Sequence, residues 1–71
     1  MQKRLGEAIR KHREDANLTQ EKVADEIRMA VSYYSAIERG EKNLQLSTLM
    51  KVCNGLDVRM SVVFGDAEDM T

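Results

Sequence analysis

The sequence predicts a small, mainly α-helical domain, and three observations carry that expectation. The chain has no proline, and 32 % of its 71 residues are charged, which suits a helical bundle better than a turn-rich β fold. Apolar residues recur at helical spacing over most of its length. Hydrophobic residues make up 42 %, enough for one core but, at this length, not for a second domain or a roomy substrate cleft. The single cysteine, Cys53, excludes an intramolecular disulfide framework and a cysteine-rich zinc site. No long apolar run suggests a leader or a membrane span, so a cytoplasmic protein is expected.

Each element has its own warrant. A first helix over 3–15 carries Leu5, Ala8, Ile9 and then Ala16 at helical spacing, with Arg10, Lys11 and Glu14 outward. Asn17 and Leu18 break the pattern. Thr19 is a good N-cap and Glu21 suits the dipole of a second helix over 19–27, which buries Val23, Ala24 and Ile27. After an interruption at Arg28–Met29, a third helix over 30–39 aligns Ala30, Tyr34 and Ile37, and Gly40 stops it as a left-handed residue would. A polar loop leads to Ser47, the expected cap of a fourth helix that buries Leu49, Met50, Cys53 and Leu56. Val58, Met60, Val62 and Phe64 then alternate with Arg59, Ser61 and Val63, a period of two that predicts a strand over 58–64. No second strand is visible, and a lone strand leaves its backbone unsatisfied, so either a second copy of the chain supplies its partner or the segment packs irregularly, as part of the core. Asp66, Glu68 and Asp69 then mark 65–71 as an acidic mobile tail.

The second and third helices form a helix-turn-helix pattern. Val31, Ser32, Ser35, Ala36 and Arg39 turn away from the buried stripe of the third helix, and a helix of that width enters the DNA major groove. Val31 and Ala36 suit thymine methyls; Ser32 and Ser35 suit base edges or phosphates.

The run Leu18-Thr-Gln-Glu-Lys-Val-Ala24, then Ser35-Ala-Ile-Glu-Arg-Gly40, then Asn43 and Leu49, resembles the Cro/C1-type (XRE) helix-turn-helix family, with Leu5-Gly-Glu-Ala-Ile-Arg10 and Arg13 matching its first helix. The resemblance covers roughly residues 4–58. It implies a lambda-repressor-like domain of four to five helices and a sequence-specific regulator, a dimeric repressor of a palindromic operator. By position it implies that Gln20 contacts phosphate, that Val31, Ser32 and Ala36 read bases with Tyr33 and Ser35 beside them, and that Arg39, Lys42 and Asn43 grip the backbone. It also implies a buried ion pair between Arg13 and Glu38. Tyr33 with the Ser35–Gly40 run looks like restriction–modification controllers. The stretch Leu49–Phe64 resembles the end of the HipB-like antitoxins, in which a C-terminal strand pairs across the dimer. On that reading Met50, Leu56, Val58, Met60, Val62 and Phe64 form the dimer interface, and a toxin is a further partner. Arg28 stands where the family often has glycine, which implies a strained or reshaped turn.

Other readings weigh less. Tyr34 belongs to the core, and His12 and Cys53 read as structural. The neighbours Glu14–Asp15 and Asp25–Glu26 diverge on their helices and make no acid–base dyad. No metal-ligand spacing, nucleophile–base pair or glycine-rich phosphate loop is present, so no enzyme, metal or cofactor is expected. The net charge of −1 argues at first against nucleic acid, but residues 1–64 hold eleven basic and nine acidic side chains, a surplus of two. The alternative from another class is a protein-interaction module with little DNA binding, to which the apolar Ala30–Val31 start gives some weight.

Overall fold

The computed structural model describes residues 2–69, with side chains from 3 to 68. Five helices follow one another: α1 (Gln2–Asp15), α2 (Gln20–Glu26), α3 (Val31–Glu38), α4 (Leu46–Leu56) and α5 (Met60–Asp69). They close around one core of Leu5, Ala8, Ile9, Val23, Ala24, Tyr34, Ile37, Leu49, Val52, Cys53, Leu56, Val63 and Ala67. Helix α1 is the hub, packing most extensively on α5 and then on α3.

The helices α1 to α4 all stop in the same way. Asn17, Arg28, Gly40 and Asp57 each take a positive φ, between 56° and 75°. After each, the next amide reaches back across the last turn: Leu18 N–H to Arg13 O, Met29 N–H to Ala24 O, Glu41 N–H to Ala36 O and Val58 N–H to Cys53 O, at 2.8–3.2 Å. These are Schellman closures, which satisfy the orphan carbonyls of a helix end. Glycine is the usual residue there, yet only Gly40 is one. Arg28 in this conformation, at φ 56°, costs about 1–2 kcal/mol of backbone strain.

The C-terminal strand is the main correction. Residues 58–64 are not a strand; no strand occurs among the described residues, and the segment from Met60 onward is helical. Residues 58–64 are apolar at five positions and fit a period of two or of 3.6. The residues that discriminate lie further on. Met60, Val63 and Ala67 share a helical face, and Val63 and Ala67 are fully buried against α1 and α4. Residues 65–69, read as a mobile tail, are the second half of α5, and Asp66 is tied to His12 of α1 at 2.6 Å. Met70 and Thr71 lie outside the described residues.

Smaller corrections concern helix ends. Thr19 does cap α2, its hydroxyl accepting from Lys22 N–H at 3.1 Å. Helix α4 begins one residue before Ser47, with Gln45 at the cap position and no side-chain capping bond. Ala16 and Ala30 sit outside the core because each flanks a helix end, and Met50 is 49 % exposed while Val52 takes the inward position.

Candidate nucleic-acid interface

Helix α3 is held from beneath by a polar network that spans three helices. Arg13 of α1 donates through Nε to Glu38 Oε2 at 2.7 Å and through Nη2 to Glu38 Oε1 at 3.2 Å. Its Nη1 donates to the Leu18 carbonyl at 2.7 Å. Gln20, at the start of α2, donates its amide to the same Glu38 Oε1 at 2.9 Å. One buried carboxylate thus fixes the last turn of α3 relative to both α1 and α2. Burial by itself would raise the Glu38 pKa, but the donors from Arg13 and Gln20 outweigh it and hold the carboxyl below its usual range. The hydrogen bond to Glu38 in turn raises the Arg13 guanidinium. The buried Tyr34 hydroxyl makes no well-formed hydrogen bond. Burial, and after it the neighbouring Glu38 carboxylate, pushes the phenol far up.

The outer surface of α3 divides the expected readers into two groups. Val31, Ser32 and Tyr33 are exposed on its first turn, with Tyr33 at 38 %. Ser35 is half-buried, and Ala36 is only 5 % exposed, recessed in a surface groove that Ser32, Tyr33, Arg39, Glu41 and Lys42 also line. After the break at Gly40, Glu41 N–H bonds Ala36 O, which brings Glu41 to one side of that groove. Lys42 and Asn43 are exposed in the following loop. The Lys42 ammonium lies 5.2 Å from the Tyr33 ring centroid, a cation–π contact that links the loop to the first turn of α3. Arg39 is exposed, and its guanidinium is engaged by Glu41 and Ser35. Sequence reasoning passed over Glu41. The signal was available, since an acid two residues from an arginine across a left-handed glycine can fold back onto it.

The expected dimer residues also divide. Leu56 is in the core, and Phe64 packs against it. Met50 and Val62 are exposed, at 49 % and 44 %, and an open groove between α4 and α5 is lined by Met50, Val58 and Met60. Cys53 lies at the base of that groove as a free thiol, raised by burial. Among the described residues, no group of histidine, cysteine and acidic side chains could hold a metal, and no helix is long and apolar enough to cross a membrane.

Two short helices joined by a tight turn, the second exposed along its first turn and anchored by a buried arginine–glutamate pair, define a Cro/C1-type helix-turn-helix domain. The profile of the helix-turn-helix family matches residues 9–63, and the chain belongs to that family of DNA-binding transcriptional regulators. It is 39 % identical over 66 residues to the control protein C.MunI of a Mycoplasma species, covering 92 % of this chain and 89 % of that one. The fold matches the crystal structure of the clp gene regulator ClgR from Corynebacterium glutamicum, with a TM-score of 0.96 and 30 % identity over 99 % of this chain and 91 % of that one. It also matches the restriction–modification controller C.Esp1396I, solved as a tetramer in complex with its natural 35 base-pair operator, with a TM-score of 0.85 and 30 % identity over 94 % and 88 % of the two chains.

Proposed function

We propose that this chain regulates transcription as a homodimer that reads a two-fold-symmetric operator, in the manner of a restriction–modification controller, and that it does so from the cytoplasm as a repressor or autoregulator. The observation that carries this reading is the exposed first turn of α3, seated on the Arg13–Glu38–Gln20 network. Val31 offers an apolar contact for thymine methyls, and Ser32 and Tyr33 offer hydroxyls to base edges. Arg39, Lys42 and Asn43 follow the helix into the loop and meet the backbone. The Gln20 side chain is half-buried and bonded to Glu38, so its part is to orient the start of α2 toward a phosphate, with the α2 backbone amides as donors. Ala36 is recessed in the groove between Tyr33 and Arg39, so those longer side chains reach the duplex before it.

The dimer runs through α4 and α5, with Met50, Val58, Met60 and Val62 at the seam, and Leu56 and Phe64 beneath it as support. A 71-residue domain has a thin core, and a second copy over this groove adds to it. The controller reading is favoured because C.MunI aligns over nearly all of both chains. The antitoxin branch, with its toxin partner, draws no support from the relatives described above.

Selection from a randomised duplex pool at low salt tests the reading. Enrichment of a two-fold-symmetric sequence is the expected result. A pool that stays unenriched would overturn it in favour of a protein-interaction module.

A further inference from the structure

Arg39 is held on two sides while it stands on the DNA-facing surface. Its Nε donates to Glu41 Oε2 at 2.8 Å and its Nη2 to Glu41 Oε1 at 3.2 Å, while Nη1 donates to Ser35 Oγ at 2.9 Å. A guanidinium has five N–H donors. These three bonds take the one on Nε and one on each Nη, leaving one free donor on Nη1 and one on Nη2. Both lie in the guanidinium plane, the plane in which arginine meets a bidentate acceptor.

We propose that Glu41 is a specificity-determining residue: with Ser35 it sets the Arg39 guanidinium as an oriented fork for a bidentate acceptor on the duplex and cancels the charge that would bind any duplex.

The proposal rests on the DNA-reading role given to α3 above. Two physical effects follow from one carboxylate. An unheld arginine contributes sequence-independent attraction to phosphate, and pairing it removes most of that contribution. A held arginine has already lost its rotamer freedom, so a duplex that presents the acceptor in the right place binds without that loss. The raised Arg39 and lowered Glu41, each caused first by their mutual hydrogen bonds, agree with this geometry. Exposed ion pairs usually carry little energy, but the two-point contact here fixes direction, which is what the proposal uses. The acceptor that gives discrimination is the O6/N7 edge of a guanine, which takes Arg39 beyond the backbone contact given to it above; the two oxygens of a phosphate offer similar chemistry on any duplex and carry no sequence.

The test compares binding of wild type, Glu41→Ala and Glu41→Asp to a selected duplex and to a scrambled duplex of the same composition, over a salt series. Glu41→Ala is expected to tighten scrambled-duplex binding, steepen its salt slope by ~0.9 and cut discrimination by about tenfold. Glu41→Asp keeps the charge but is one methylene short. It is expected to lose discrimination with the salt slope unchanged. Equal shifts on both duplexes, or none, would overturn the role of Glu41 while leaving the α3 reading intact. A wild type that fails to discriminate would overturn both. Both variants are at an exposed loop position, and their circular-dichroism melts establish folding independently of DNA. Replacing one guanine of the selected site by 7-deazaguanine is expected to erase the difference between wild type and Glu41→Asp; a difference erased only by a methylphosphonate would place Arg39 on a phosphate and overturn the specificity role.

Discussion

Gly6 sits in the middle of α1, where an alanine would ordinarily favour the helix by roughly 0.5–1 kcal/mol. The structure predicts the opposite. A Cβ built on Gly6 lies 2.5 Å from the carbonyl oxygens of both Ile37 and Glu38. Ordinary contact begins near 3.4 Å, so α1 and the end of α3 must separate by about 1 Å. The obstacle is backbone, which cannot swing aside as a side chain can. Overpacking of this kind costs about 3 kcal/mol at the upper end of the usual range, and the helix preference returns less than 1, so a net loss of about 2 kcal/mol is expected. For a domain of this size that is a fall of roughly 8–16 °C in Tm. Gly65 of α5 provides the contrast, because nothing lies within 4 Å of its Cβ position. Gly65→Ala is expected to raise Tm by a few degrees, at ~0.5–1 kcal/mol. Both variants are read by thermal circular dichroism at one protein concentration, since the Tm of a protein that associates depends on it. A Gly6→Ala protein melting at or above wild type would refute the close approach of α1 to α3.

Three other variants probe different parts of the fold. Arg28→Gly relieves the left-handed strain in the helix-turn-helix turn against a smaller loss of chain entropy, and urea unfolding is expected to show a gain of about 0.5–1 kcal/mol; a loss would mean that the turn holds its shape without strain. Glu38 has a depressed pKa in the folded state, so its stabilisation is present above the unfolded carboxylate value of about 4.3 and is lost as pH falls through the lower folded value. Glu38→Gln is therefore expected to be less stable at neutral pH and to show a flatter stability curve below pH ~4, and an unchanged acid limb would remove Glu38 from the account. Asp66→Asn weakens the His12 tie between α1 and α5 and should cost about 0.5–1.5 kcal/mol in urea; no change would leave the apolar packing of Met60, Val63, Phe64 and Ala67 as the anchor of α5.

The helix-turn-helix half of the molecule was legible because its local signals agree with its packing. Thr19 caps, Gly40 stops, and Val23, Ala24, Tyr34 and Ile37 fall on the faces their spacing requires. The C-terminal segment was not, because β-branched Val58, Val62 and Val63 favour a strand locally, while Met60, Val63 and Ala67, three and four residues apart, meet the core as one face of a helix. Ala67 carried the deciding information, but a single alanine among acids reads as tail until its neighbour is known. Ala36 shows the same limit on a smaller scale. By facing alone it belongs to the DNA surface, and there it lies recessed in a groove among larger side chains, 5 % exposed. Gly6 was visible as part of the family pattern, whereas the reason for it, two carbonyls of α3, lies 31 and 32 residues away.

On the proposed function, two copies of α3 meet one duplex across an α4–α5 seam. Hydroxyl-radical footprinting of the wild type on a selected duplex reads that arrangement. Two protected segments related by a two-fold axis, centred about 10 base pairs or ~34 Å apart, are predicted. A single unsymmetrical segment would contradict the dimer, and uniform cutting under conditions that saturate the gel shift would contradict the placement of α3 in the groove.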